Sequence, residues 1–269
     1  MSQWFWWVKL RFWLLGKLKA LLQRIPCARE SFLILSAGRS GSTLLMQYLR
    51  CHPEITCSLT EPLNGKTLRL HGLPGSNVSP ATLINYLMAQ LLSWRRRAGC
   101  KIFCQQLEFY RISFSDLSTA LRDPPVIVLF REDALATYVS LQLAFKTDVW
   151  FSQDEKRECT TIEVDPEDYR GHAEWQRERW RNTLSAFVGR ANKRVHFISY
   201  EELITDKEKT LEGVFSFLGL PPCKTVAFSK RQNPFGLRET ISNYEDIGEK
   251  LNSFSCNVLT KEWMKRCIE

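Results

Sequence analysis

A short apolar run, Phe32-Leu33-Ile34-Leu35, opens directly onto Ser36-Ala37-Gly38-Arg39-Ser40-Gly41-Ser42-Thr43, and then onto a segment carrying Leu44, Leu45, Tyr48 and Leu49 at helical spacing. A run apolar at every position is a strand buried on both faces, because a strand with one wet face alternates. Strand, glycine-bearing turn and helix in immediate succession form the first unit of an α/β domain. The unit recurs. Val126–Phe130 is the clearest buried strand, followed by a helix from about Asp133 to Phe145. Val195–Ser199 is another, followed by a helix over 207–218 that Gly219 and Pro221-Pro222 stop. Between these units the pattern predicts strands over 55–58 and 101–105, helices over 81–96 and 167–192, and irregular chain over 63–80 and 148–165. Strands alternating with helices predict a three-layer α/β sandwich, with a mostly parallel sheet flanked by helices on both faces. No linker interrupts residues 30–269, so they read as one domain, with residues 1–29 as a separate aromatic and basic helical segment.

That first segment constrains the cellular setting. Residues 4–22 mix six aromatics with four positive charges, and their longest uncharged run from Phe12 to Gly16 is five residues. A membrane span needs about 20 apolar residues. Aromatic and basic residues together suit a bilayer interface, but Lys9, Arg11, Lys17 and Lys19 scatter around a helical wheel. Peripheral membrane contact through residues 1–25 and docking on protein both stay open. Nine cysteines are an odd number and include no C-x-x-C pair, which disfavours a zinc site. A reducing, cytoplasmic setting is the simpler expectation, with a Cys51–Cys57 disulfide as the alternative. The net charge of +8 favours anionic partners without choosing among them.

The turn after the first strand carries the chemistry. Glycines let backbone N–H groups curl around an oxyanion, and a helix N-terminus adds about half a positive charge. Gly38, Arg39, Ser40, Gly41, Ser42 and Thr43 are therefore candidate anion-binding residues, set against an ordinary strand-to-helix turn with serine as cap. A nucleoside triphosphatase loop would carry lysine before its Ser/Thr. Arg39 is the nearest cation here, so a 5′-phosphate-type group fits better than a magnesium triphosphate. At the end of the second clear strand, Arg131 and, two turns into the following helix, Ser140 can converge on a second phosphate at the sheet's carboxyl edge. A surface arginine and a solvated serine are the alternative.

Arg39-Ser40-Gly41-Ser42-Thr43-Leu44-Leu45 resembles the 5′-phosphosulfate loop of sulfotransferases, in the form seen in bacterial carbohydrate and nodulation-factor-type members. It departs from the cytosolic small-molecule type, whose loop carries lysine. Arg131 and Ser140 match the family's 3′-phosphate segment. His196–Leu203 and Leu211–Gly219 resemble its "YE-x-L … FLG" region, and residues 230–244 its cofactor-covering segment. The resemblance implies a P-loop NTPase-like fold. It also implies transfer of a sulfuryl group from 3′-phosphoadenosine 5′-phosphosulfate (PAPS) to an acceptor hydroxyl, leaving adenosine 3′,5′-bisphosphate (PAP). On that basis Lys230 and Arg231 are further donor-binding candidates, and neither metal nor nucleic acid is expected. Glu61, in Thr60-Glu61-Pro62, is the first candidate for the base, with His52 and His71 as rivals. The acceptor expected by resemblance is a glycan or glycolipid. Trp150 and Phe151 are positioned either to stack on a sugar or, as most aromatics do, to pack in the core. Two other classes compete: a non-catalytic polyanion binder using Arg95-Arg96-Arg97, and a nucleotide kinase-like enzyme.

Overall fold

The computed structural model describes residues 30–58, 60–91, 97–150, 159–188, 195–227, 235–254 and 259–269. The N-terminal segment, Arg95, Arg96, Phe151, Lys230 and Arg231 lie outside them.

Five strands form one sheet: β1 (Glu30–Ser36), β2 (Ile55–Cys57), β3 (Arg97–Phe103), β4 (Val126–Phe130) and β5 (Val195–Ser199). Their order is β2-β3-β1-β4-β5, and every pairing is parallel. The chain leaves β1 towards β2 and β3, then returns past it to β4 and β5. The carboxyl ends of β1 and β4 therefore border the crevice where open parallel sheets bind ligands.

Helices cover both faces, as the alternation predicts. On one face Phe32, Ile34, Ile127, Leu129 and Ile198 pack against α1 (Ser42–Arg50), α8 (Tyr200–Thr205) and α9 (Lys207–Phe217). On the other, Leu33, Leu35, Ile102, Val126 and Val128 pack against α3 (Pro80–Gln90), α4 (Cys104–Phe109), α5 (Phe114–Ala120), α7 (Pro166–Ser185) and α12 (Lys261–Arg266). A third cluster joins α6 (Ala134–Thr147) to α7, α10 (Leu237–Thr240) and α11 (Tyr244–Ser253) through Tyr138, Leu143, Tyr169, Leu237 and Leu251. Each such side chain, fully buried, contributes roughly 1.5–3 kcal/mol. Gly99 is required where it stands: a Cβ there would lie 2.2 Å from the ring of Phe32, its register partner on β1.

Several boundaries differ from the sequence expectation. The stretch 63–80 contains a short helix, α2 (Gly65–Leu70), which Asn64 caps by accepting from the Lys66 N–H at 2.9 Å. β3 begins at Arg97, and Cys104 already starts α4. Arg97 is thus no solvated helix end: it is buried in the sheet and paired with Glu30. That withdraws one cation from the run on which a polyanion patch would depend. The described cysteines are all thiols, Cys51 and Cys57 included, and burial pushes Cys100 and Cys104 up to about 12.

Candidate active site

The β1–α1 loop is built to leave N–H groups available. Most helices here start on a side chain that accepts a main-chain N–H, such as Ser79 for α3, Ser113 for α5, Asp133 for α6 and Asp165 for α7. α1 starts on Gly41, which has no side chain to do this. The first donors of α1 therefore have no side-chain cap. Arg39 and Gly41 both adopt left-handed backbone, at φ 66° and φ 81°, on either side of Ser40. Alternating backbone of this kind makes a concave anion nest. Ser40 braces the turn by donating to the Ala37 carbonyl at 2.7 Å. A Cβ at Gly41 would lie 2.4 Å from the Tyr200 ring, so Tyr200 walls the loop on one side.

Arg39 projects from this nest. Its Nε donates to Ser140 Oγ at 3.1 Å, and one terminal nitrogen donates to the Trp150 carbonyl at 2.9 Å. Burial, and then the neighbouring charge of Arg131, lower its pKa to about 10, with Glu61 opposing the shift. Arg39, Ser140 and Arg131 thus come together from three segments. Ser140 bonds to Arg39, and a hydroxyl that accepts one hydrogen bond still has its proton to donate. Arg131 follows β4, with its guanidinium 5.0 Å from the centroid of the Tyr200 ring and 3.9 Å from Glu201 Oε1. Glu201 also accepts from the Glu132 N–H at 3.0 Å, which ties the start of α8 to the segment following Arg131. Tyr200 and Glu201, from the segment that resembles the family's "YE-x-L" region, stand beside Gly41 and Arg131.

One participant was missed. Lys101, on β3, is 1% exposed. Its Nζ lies 2.7 Å from Glu61 Oε1 and donates to Thr43 Oγ1 at 2.9 Å. The cation absent from the loop therefore arrives sideways from the neighbouring strand. The signal was present in Cys100-Lys101-Ile102, since lysine inside a buried strand requires a partner.

The histidine candidates lie elsewhere. His52 is 2% exposed, packs on Phe215, and engages the Pro221 carbonyl through Nε2 and the Glu54 N–H through Nδ1. It follows the carboxyl end of α1, roughly 15 Å of helix from the anion loop at about 1.5 Å per residue. His52 is thereby corrected from candidate base to framework residue. His71 caps α2 and meets Tyr86 edge-on. Lys230 and Arg231 fall outside the described residues.

The sulfotransferase family profile matches residues 31–224, well over half of the chain. The chain belongs to the sulfotransferase family. It is an enzyme of sulfuryl transfer, with PAPS as donor and PAP as product. Among solved structures it is similar to a sulfotransferase from Alicyclobacillus acidocaldarius, with 16% identity, a TM-score of 0.48, and coverage of 84% of this chain and 92% of that one. It is also similar to the sulfotransferase domain of the curacin biosynthetic pathway, with 17% identity, a TM-score of 0.47, and 89% and 96% coverage. A mouse sulfotransferase complexed with PAP aligns with 16% identity, a TM-score of 0.44, and 73% and 61% coverage. A search of the curated proteins finds no match. Among the described residues, no helix is long and apolar enough to cross a membrane.

Proposed function

We propose that the β1–α1 loop and Arg39 hold the 5′-phosphosulfate of PAPS, that Arg131 and Ser140 hold its 3′-phosphate, and that Glu61 deprotonates a glycan or glycolipid hydroxyl. The observation that carries the reading is the meeting of Arg39, Arg131 and Ser140 at the carboxyl edge of β1 and β4. A partly buried guanidinium whose proton affinity a second guanidinium lowers further is in an unfavourable arrangement that an added anion relieves. A doubly phosphorylated adenosine supplies such an anion at each end. Lys230 and Arg231 remain candidates for the same nucleotide.

Sulfuryl transfer resembles phosphoryl transfer in its demands: in-line geometry, and stabilisation of charge on the leaving phosphate. The nest N–H groups, Arg39 and the Thr43 hydroxyl meet the second demand. Glu61 meets a third, removal of the acceptor proton; its side chain is 23% exposed and therefore reachable. The Lys101–Glu61 pair couples the two. When Glu61 takes the proton it becomes neutral, and the charge of Lys101 loses its partner as negative charge grows on the leaving group. Lys101, already on Thr43, is then available to that group.

The test combines binding and transfer. PAP should bind the chain and ATP should not, and labelled sulfate should pass from PAPS to a member of a panel of cell-derived glycans and glycolipids. ATP binding equal to PAP binding would end the 3′-phosphate assignment. Transfer to none of the panel would end the acceptor assignment.

A further inference from the structure

Thr137, Leu141 and Phe145 follow one another at intervals of four on α6, which places them along one face. Thr137 and Leu141 line a cavity that Ala37 and Gly38 of the anion loop also border, with Trp175 and Gln176 of α7 on its wall. One turn further out, Phe145 is 64% exposed and meets Trp150 edge-to-face, with centroids 5.2 Å apart at 90°. Trp150 is itself 47% exposed, which overturns the expectation that it packs in the core. Its carbonyl is the group that holds Arg39. The aromatic pair is thus tied to the donor-loop arginine, and the cavity ends on the donor loop's backbone.

The chemistry of this cleft narrows the ligand. Trp175 is 49% exposed and is held in place by Arg179, whose guanidinium lies 3.4 Å from its ring centroid. Arg179 is fixed in turn by Glu108, with Nε and one terminal nitrogen each 2.7 Å from Oε2. The one cation among the described lining residues is therefore already matched. The remaining polar lining is neutral amide and hydroxyl from Gln105, Thr137 and Gln176, together with the imidazole of His172. Burial and Arg179 hold that imidazole below its usual range, on the neutral side at pH 7. Exposed aromatic faces interspersed with neutral donors and acceptors suit a molecule with a flat C–H face and a rim of hydroxyls. An acidic ligand would find no unmatched charge here.

Building on the sulfotransfer reading above, we infer that the α6–α7 cleft is the acceptor site and that it takes an uncharged pyranoside ring, stacked on Trp175 and Trp150. Acidic glycans and straight-chain alcohols are the excluded classes.

The experiment is saturation-transfer NMR on the full chain loaded with PAP. The probes are methyl β-D-galactopyranoside, methyl β-D-glucopyranoside, methyl β-D-glucuronide and 1-octanol. Ring protons of at least one neutral pyranoside should receive saturation, and the glucuronide and octanol should respond at least tenfold more weakly. Trp175→Ala and Trp150→Ala should each weaken the pyranoside at least tenfold. PAP affinity should stay within twofold, because the Trp150 contact to Arg39 is made by the main chain and survives in the alanine variant. That affinity also verifies that the variants fold. An equal response to the glucuronide, or a pyranoside signal unchanged in both variants, would overturn the inference. PAP binding without any pyranoside response would overturn it alone; failure of PAP to bind the wild-type chain would remove the donor reading and the acceptor site together.

Discussion

Arg39 and Arg131 repel one another at the junction of β1 and β4, whereas Lys101, on the strand at the other side of β1, is closed onto Glu61 at 2.7 Å. The arginines stand in the segments that follow β1 and β4 and are partly reachable, and Arg39 sits in left-handed backbone. The lysine is wholly buried and charge-matched. The first arrangement is only partly offset by Glu201 and Glu61, so on the proposed reading an anion would relieve it and it would act as a receptor. The second is satisfied within the chain, and on the proposed reading it would release its charge only when the carboxylate is protonated and so act as a relay. The mutually repelling pair and the matched pair lie on opposite sides of one strand.

Breaking the relay should have the largest effect. Glu61→Gln should lower kcat by about 10²–10⁴-fold with PAP affinity unchanged, since it removes only proton transfer. A fully active Gln variant, read by labelled-sulfate transfer, would dissolve the relay. Lys101→Met should cost about 10²–10³ in kcat, and the double variant Lys101→Met/Glu61→Gln should be more stable to urea than Lys101→Met alone, because it leaves no unmatched carboxylate. If the double variant is the less stable, the two residues are not a pair.

Breaking the receptor should act on binding. Arg131→Ala should weaken PAP by roughly 10–100-fold, the worth of a charge-assisted contact of about 1.5–3 kcal/mol, and Ser140→Ala by less. Unchanged calorimetric affinity in both would count against the 3′-phosphate role. Arg39→Ala should reduce turnover by about 10²–10³-fold.

The pH dependence sharpens the contrast. A guanidinium with its pKa lowered to about 10 is charged below that pH and loses its charge above it. PAP affinity should therefore hold to pH 9 and fall as pH rises through 10. Arg131→Ala removes one cause of the lowering and should move that fall upward. The smallest effect is on stability. Arg39→Gly should be more stable than Arg39→Ala by about 1 kcal/mol in urea unfolding, because only glycine adopts φ 66° without a Cβ penalty.

The two halves of the site differed in how far sequence revealed them. Arg39 lies in a contiguous loop between a strand and a helix, where local order is enough to expose an anion nest. Arg131 directly follows β4, a strand that its unbroken apolar run makes plain in the sequence. Lys101 and Glu61 lie forty residues apart on either side of α3, and nothing local links a strand lysine to a loop carboxylate. His52 misled for the same reason: a histidine just past a helix looks available until Pro221 and Glu54 take both ring nitrogens. Trp150 shows the converse, since whether an aromatic is core or surface depends on neighbours that the spacing does not name.

Sequence alone determined the parallel α/β architecture, the glycine-bearing loop between β1 and α1 and the arginine that follows β4, because apolar periodicity and turn chemistry act over a few residues. Tertiary structure alone decided that Lys101 reaches Thr43 and Glu61, that Ser140 sits on Arg39, and that Phe145, Trp150 and Trp175 remain half open to solvent. Contacts between distant segments depend on how the strands are ordered in the sheet, and that order is a property of the packed whole.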